Sequence, residues 1–148
     1  MDEQEVIRKL NTLVQLNLDV AYVYEQARER IDLPGVRERL TEIRDEHQRR
    51  ALDLSAEIYA IGGAPLECPQ TTFGLSTEGL RSVSSQADGE EIFKILEADE
   101  QVAGLKYHAA QSWDLPASST ELIRRQHDGE GSHLRFIREE IGKKIWVT

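Results

Sequence analysis

The chain has 148 residues, enough for one domain with a buried core, and its 39% hydrophobic content fits a globular protein and not a disordered one. Its 27 acidic and 18 basic side chains give a formal net charge of −9, which argues against binding to nucleic acid or to an anionic membrane surface. Cys68 is the single cysteine, so an intramolecular disulfide is excluded and the chain fits a reducing compartment.

The first two helices are predicted from apolar residues that recur every three or four positions, the spacing of one face of an α-helix. These two helices span residues 2–31 and 34–61. Pro34 stands where the first turn of a helix tolerates proline, and Gly62 with Gly63 ends the second helix.

The third and fourth helices are predicted in the same way, over residues 89–112 and 118–144. Asp88 precedes the third helix, where it can cap the first turn. Ser118 and Glu121 have the spacing of a capping box, which opens the fourth helix. No stretch alternates apolar and polar residues as a half-buried strand does, so the predicted class is all-α.

The lengths of the connections predict how the four helices are arranged. Residues 32–35 and 114–117 are short links, which make the helices on either side antiparallel. Residues 62–88 form a much longer connection, in which we expect a short helix over 75–83. Two hairpins joined by a long crossover form an antiparallel four-helix bundle of the ferritin-like kind, predicted here as a single domain over 1–148.

Each predicted helix carries a polar residue at the centre of its apolar face. These residues are Asn17, His47, Asp99 and Glu130. Burying a polar or charged group costs several kcal/mol unless a partner satisfies it. Four such residues at about the same level of a bundle therefore indicate a shared site.

Three short segments carry a resemblance to a known family. They are Leu16-Asn17-Leu18-Asp19, Arg44-Asp45-Glu46-His47 and Glu130-Gly131-Ser132-His133. With them the chain resembles the ferritin-like superfamily over nearly its whole length, and most of all a small bacterial branch of it. Di-iron members take one Glu from each of two helices and a Glu-x-x-His pair from each of the other two. Glu130 and His133 match that pair, and Asp99 matches a single carboxylate, one methylene shorter.

The resemblance implies a metal centre made of His47, Asp99, Glu130 and His133. The chain departs from the di-iron pattern because Asn17 replaces a carboxylate, and His47 and Arg50 stand where a Glu and a His are expected. Since Arg50 would repel a second cation, we expect one ion of iron, manganese or zinc, no organic cofactor, and weak or absent ferroxidase activity. Asn17 is expected to be a hydrogen-bonding partner whose replacement by Ala changes metal binding little. Whether the chain is an enzyme, and for which substrate, stays open.

A metal-free protein is the alternative hypothesis. Arg50 lies near the core face, where its guanidinium would pair with Asp99 or Glu130 and replace the charge of a metal. Asn17 and His47 would then complete a buried hydrogen-bond network, and the chain would serve as an interaction or stress-response module. An Arg50 side chain that extends outward to water is equally compatible with the sequence.

Gly129 and Gly131 flank Glu130 inside the fourth predicted helix, where each glycine costs about 1 kcal/mol relative to Ala. For Gly129 we predict a locally frayed or kinked helix. For Gly131, close packing beside the site and local fraying both stay open. For Tyr24 and Tyr107 we expect core packing and no redox role.

The first predicted helix is apolar nearly all round, because several apolar residues lie off its central stripe. These residues are Leu16, Leu18, Tyr22 and Val23. The first helix is therefore expected to bury a second face, and we expect a homodimer that forms through the first two helices. The first residues lack the features of a secretion signal and no apolar run is long enough to cross a bilayer, so a cytoplasmic protein is expected.

Overall fold

The structure, a computed structural model, describes residues 1–68 and 80–144. These residues form five α-helices: α1 (Glu3–Arg30), α2 (Pro34–Ile61), α3 (Gly89–Ala110), α4 (Ala117–Asp128) and α5 (Glu130–Lys143). The first hairpin is α1 with α2, and the second is α3 with α4 and α5, which together take the place of the fourth predicted helix. The antiparallel four-helix bundle predicted from the sequence is confirmed.

The helix ends follow the sequence signals with one exception. The Asp2 carboxylate caps α1 by accepting the Glu5 N–H at 2.8 Å, and Asp88 caps α3 through the Glu91 N–H at the same distance. Gly62 ends α2 with a left-handed φ of 94°. The capping box at Ser118 is wrong. Helix α4 begins at Ala117 without a side-chain cap, and the Ser118 hydroxyl donates to the Glu57 carboxylate at 3.0 Å instead.

The fourth predicted helix is interrupted at Gly129. The Gly129 N–H bonds to the Gln126 carbonyl, three residues back, at 3.2 Å, so the regular α-helical pattern stops there. A Cβ on Gly129 would lie 3.0 Å from Nη2 of Arg50. The predicted local disruption is present as an interruption of the helix, and the close approach of the Arg50 guanidinium is one physical reason for a glycine at this position.

The segment that leaves α2 packs along α1 through hydrogen bonds. Asn11 donates to the Ala64 carbonyl at 3.1 Å, and Gln15 donates to the Cys68 carbonyl at 3.0 Å. Further along the chain, the Val83 N–H bonds to the Gln26 side chain at 3.0 Å. Of the short helix predicted over 75–83, residues 75–79 lie outside the described residues, and residues 80–83 are not helical.

This packing corrects the reason for expecting a dimer. Leu16 and Val23 are fully buried within the chain and belong to its apolar core, while Leu18 and Tyr22 are partly buried. The second apolar face of α1 is therefore largely covered by the chain itself. The homodimer stays a prediction, but it no longer follows from α1.

The apolar core draws side chains from all five helices. Its fully buried members include Leu10, Leu54, Phe93, Tyr107 and Ile137. Burying one such side chain stabilises the fold by about 1.5–3 kcal/mol, whereas a buried polar group needs a partner. No helix in the described part of the chain is both long and apolar enough to span a membrane.

Candidate metal centre

Four buried side chains from three helices meet in the middle of the bundle. His47 comes from α2, Glu100 from α3, and Glu130 and His133 from α5. Each offers one nitrogen or oxygen atom, and these four atoms all lie within 4.8 Å of one another. Imidazole nitrogens and carboxylate oxygens are the ligands that zinc, iron and manganese take in proteins.

The structure brings together His47, Glu130 and His133 of the four predicted site residues and places Asp99 outside the cluster. Asp99 Oδ1 accepts the backbone N–H of Arg81 at 3.0 Å, on the side of α3 that faces the crossover. Burial raises the pKa of Asp99 to about 7, and the Arg81 N–H opposes this shift in part. Glu100, the next residue along α3, takes the place predicted for Asp99.

The error at Asp99 has a geometric cause. Asp99 and Glu100 both lie between Leu96 and Ala103 on the helical stripe, at spacings of three and four residues. Both spacings bring side chains to one face of a helix, so apolar periodicity cannot choose between two neighbours. Consecutive helical residues point about 100° apart, which is enough to separate the two carboxylates.

A chain of hydrogen bonds fixes which nitrogen of His47 carries its proton. The Asn17 amide donates to the Leu13 carbonyl at 2.8 Å and to the Tyr107 hydroxyl at 2.7 Å, and this hydroxyl donates to Gln126 at 2.6 Å. Because its NH₂ group is used in this way, Asn17 presents Oδ1 to Nδ1 of His47, 2.8 Å away. An amide oxygen only accepts, so the His47 proton is on Nδ1.

The other nitrogen of His47 therefore faces Glu100 without a proton. Burial lowers the pKa of His47 to about 4, although the Glu100 carboxylate opposes the shift, so the imidazole is neutral at pH 7. Its Nε2 lone pair lies 3.0 Å from Oε1 of Glu100. Two acceptors that face each other at this distance need a proton or a metal cation between them.

His133 is oriented in the same way from the opposite side. Its Nε2 hydrogen-bonds to the carboxylate of Glu46, and since an ionised carboxylate only accepts, Nε2 carries the proton. Its Nδ1 has no hydrogen-bond partner among the described residues and lies 3.5 Å from Oε1 of Glu100. Both imidazoles therefore turn an unprotonated nitrogen toward Glu100, with their N–H groups held on the outer side.

The cluster holds two carboxyl groups and one guanidinium. Arg50 is buried and forms an ion pair with Glu130, which confirms internal pairing and excludes an Arg50 side chain extended into water. Burial and the nearby Glu100 carboxylate raise the pKa of Glu130, and Arg50 opposes the shift. Glu100 Oε1 accepts the Tyr24 hydroxyl at 2.7 Å, a hydrogen bond from a neutral group. One guanidinium thus faces two carboxylates.

Sequence reasoning missed Glu100 and Glu46. Glu100 could have been suggested beside Asp99, as the second carboxylate on the same stripe of α3. Glu46 is about half exposed and lies off the apolar face of α2, so no periodicity points to it. Asn17 was predicted as a hydrogen-bonding partner, and it is one.

One family and several solved structures resemble the chain. The family model described as a domain of unknown function, DUF2383, matches residues 5–112. No curated protein sequence matches the chain.

The similar structures share the fold at low sequence identity. A dodecameric thioferritin of Bacteroides fragilis has a TM-score of 0.81 at 17% identity, covering 97% of this chain and 88% of its own. The bacterioferritin of Desulfovibrio desulfuricans, a protein with a di-iron site, has a TM-score of 0.79 at 17% identity, covering 98% of this chain and 84% of its own. A conserved hypothetical protein of Mycobacterium tuberculosis has a TM-score of 0.77 at 12% identity, covering 95% of this chain and 94% of its own. The fold is therefore ferritin-like, as predicted.

Proposed function

The chain belongs to the DUF2383 family, and from its ferritin-like fold and buried cluster we propose that it binds a single divalent metal ion. The proposed ligands are His47, Glu100, Glu130 and His133. The observation that carries the proposal is the orientation of the two imidazoles. Each has its outer N–H held, by Asn17 or by Glu46, and turns its free nitrogen toward Glu100. This is the outer hydrogen bonding that metal-ligating histidines have.

The carboxylates support the same proposal. Oε2 of Glu100 and Oε2 of Glu130 are buried and have no hydrogen-bond partner among the described residues. A buried carboxylate oxygen without a partner is costly, and a cation within the cluster would satisfy both. The same cation would replace the proton that the raised pKa of Glu130 favours when the cluster holds no metal.

One ion fits the cluster better than two. Two imidazoles and two carboxylates complete a tetrahedral zinc site or leave positions free on iron or manganese. A second ion would need further carboxylates, but Asn17 lies near by as a neutral amide and Arg50 as a cation. We therefore expect ferroxidase activity, which uses a second iron, to be weak or absent.

The ion pair between Arg50 and Glu130 favours a second candidate function, a metal-free interaction module. In that state Arg50 neutralises one carboxylate, and a proton on the cluster would have to neutralise the other. This candidate explains the ion pair but leaves the orientation of His133 Nδ1 without a role.

Elemental analysis of protein purified without a polyhistidine tag separates the two candidates. We expect uptake of one equivalent of zinc, ferrous iron or manganese per chain. The double variant Glu130→Ala, His133→Ala should lose that equivalent. The matched control is His108→Ala, His127→Ala, which removes the two remaining histidines of the chain, a pair outside the cluster whose rings lie 6.2 Å apart.

Three results would contradict the binding of a single metal ion by this cluster. The first is no uptake by the unaltered protein, which would favour the metal-free module. The second is retention of the metal by the Glu130, His133 variant. The third is a stoichiometry of two ions, which would restore a di-iron-like site.

A homodimer is a separate proposal. Leu52 and Tyr59 on α2 are 64% and 62% exposed, and Leu66, which lines the same surface hollow, is 45% exposed. Large apolar side chains grouped on one surface are typical of an interface. Light scattering should give twice the chain mass of 16.8 kDa, and Leu52→Glu with Tyr59→Glu should reduce it to one chain. A monomeric mass for the unaltered protein would refute the dimer.

A further inference from the structure

A cleft between α3 and α5 leads to two of the proposed metal ligands. Its volume is about 460 Å³. Glu100 and Glu130 line it together with Gly104, Leu105, Gly131 and Leu134. The cleft thus joins the surface of the bundle to the carboxylate side of the cluster, whereas both histidines are fully buried.

Two glycines stand where side chains would cover this cleft. Gly104 follows Glu100 by four residues, so the two share one face of α3. A helical side chain leans toward the helix N-terminus and covers the turn before its own Cα, so a side chain at 104 would cover Glu100. A Cβ at Gly104 or at Gly131 would meet no atom within 4 Å, so each position opens into free space.

Close packing does not explain why glycine, which is unfavourable in a helix, stands at positions 104 and 131. A glycine inside a helix is less stable than alanine by about 1 kcal/mol. Gly129 has a packing reason, since a Cβ there would lie 3.0 Å from Arg50, but Gly104 and Gly131 have none of this kind. What they share is their place in the wall of the cleft.

We propose that the divalent ion enters and leaves the cluster through this cleft, and that Gly104 and Gly131 keep it open. The inference rests on the proposed function. The two carboxylates attract a cation toward the inner end of the cleft. Of the remaining side chains in the walls, Leu105 and Leu134 offer no ligand, and the neutral amide of Gln101 is a weak one.

The test uses Co²⁺, whose visible absorption reports binding to nitrogen and oxygen ligands. Rates of uptake and of removal by excess EDTA are measured for the unaltered protein, Gly104→Leu and Gly131→Leu. Each leucine should slow uptake and removal by about tenfold or more, as expected when a barrier rises by about 1.4 kcal/mol. The dissociation constant should stay within about twofold, because an obstructed path raises the one barrier that entry and exit share and so slows both alike.

The matched control is Gly142→Leu, in the last turn of α5. A Cβ at Gly142 also meets no atom within 4 Å, but Gly142 does not line the cleft. Its rates should equal those of the unaltered protein. Leucine favours helix more than glycine does, so all three variants should fold, and circular dichroism checks this. Gly104→Ala and Gly131→Ala should give intermediate rates.

The failures are distinguishable. If the unaltered protein binds Co²⁺ and both leucine variants exchange it at the control rate, the access route is wrong and the metal site stands. If a leucine variant weakens binding without slowing exchange, it disturbs the ligands and the access route is wrong. If the unaltered protein takes up no Co²⁺, the proposed function fails and the inference fails with it.

Discussion

Arg50 and Glu130 form a buried ion pair that joins α2 to the first residue of α5. The guanidinium also lies 5.8 Å from the ring centre of Tyr107, and the Arg50 carbonyl accepts from Gln126 at 3.3 Å. The absence of a side chain at Gly129, where α4 and α5 meet, leaves room for this guanidinium. One arginine thus connects the break between α4 and α5 with the charge of the cluster.

Replacing Arg50 by Ala should destabilise the metal-free protein by about 3–5 kcal/mol, since it leaves Glu130 buried without its cation. Denaturant unfolding measures the loss. Arg49→Ala is the matched control, because Arg49 is 75% exposed and its ion pair with Asp53 lies at the surface. Arg49→Ala should change the free energy of unfolding by no more than about 0.5 kcal/mol.

The same substitution should tighten metal binding, because it removes a cation beside the ion. Added zinc should then restore part of the lost stability of Arg50→Ala by binding to the folded state. Equal stability of Arg50→Ala and the unaltered protein without metal would show that the ion pair does not hold the bundle together.

Glu100 and Asp99, adjacent on α3, give the sharpest test of which carboxylate is a ligand. Glu100→Gln should abolish uptake of one equivalent of zinc, because an amide is a weak ligand and Glu100 lies between both histidines. Asp99→Asn should retain it, because Asp99 bonds to the Arg81 backbone away from the cluster. Isothermal titration of both variants with zinc measures this. Zinc binding by Glu100→Gln and its loss in Asp99→Asn would support Asp99 as the ligand, as predicted from the sequence.

The fold was predictable because its signals are local and repeated. Apolar periodicity predicted the helices, Asp88 and Gly62 marked two of their ends, and link lengths predicted antiparallel hairpins. The break at Gly129 was visible as a glycine that a helix disfavours. Its second cause, the Arg50 guanidinium, comes from another helix and is invisible to any local pattern.

The cluster was predictable only in part because it depends on angles and on contacts between helices. A buried polar residue on the apolar face of a helix indicates the level of the site along the bundle, as His47 and Glu130 show. The difference of one residue between Asp99 and Glu100 is a difference of side-chain direction. Glu46 contributes from a half-exposed position, and only the three-dimensional packing of α2 against α5 brings it to His133.

A pH dependence should come from Glu25, outside the cluster. Its carboxylate accepts from Arg28 at 2.6 Å and from Arg44 of α2. The hydrogen bond from Arg28, with help from Arg44, lowers the pKa of Glu25 from 4.5 to about 2. A carboxyl whose pKa falls on folding stabilises the fold above its unfolded pKa. This stabilisation is lost as the pH falls from about 4.5 to about 2.

Glu25→Gln should therefore lower the free energy of unfolding by at most about 1 kcal/mol at pH 7, since solvent screens this partly exposed carboxylate. At pH 2, near the pKa of Glu25 in the folded protein, most of the difference from the unaltered protein should be lost. Urea unfolding of both proteins at pH 7 and pH 2 measures this difference in the free energy of unfolding. A double-mutant cycle with Arg44→Gln isolates the contribution of the contact between α1 and α2. A difference that is the same at both pH values would show that Glu25 acts by packing and not by its charge.

Asn17 should control metal affinity without touching the metal, contrary to the expectation from the sequence that its replacement changes little. Its Oδ1 holds the proton of His47 on Nδ1, which keeps Nε2 free to bind the ion. Asn17→Ala removes that acceptor, and loss of such a hydrogen bond weakens metal binding by about 10- to 100-fold. Asn17→Asp should restore affinity, because a carboxylate oxygen accepts the same proton.

Asn11→Ala is the matched control and should leave the affinity for the metal unchanged, because Asn11 lies on the same helix but bonds to the segment after α2. Competition titration with zinc gives all four dissociation constants, and equal affinities of Asn17→Ala and Asn11→Ala would show that His47 does not depend on Asn17 for its orientation.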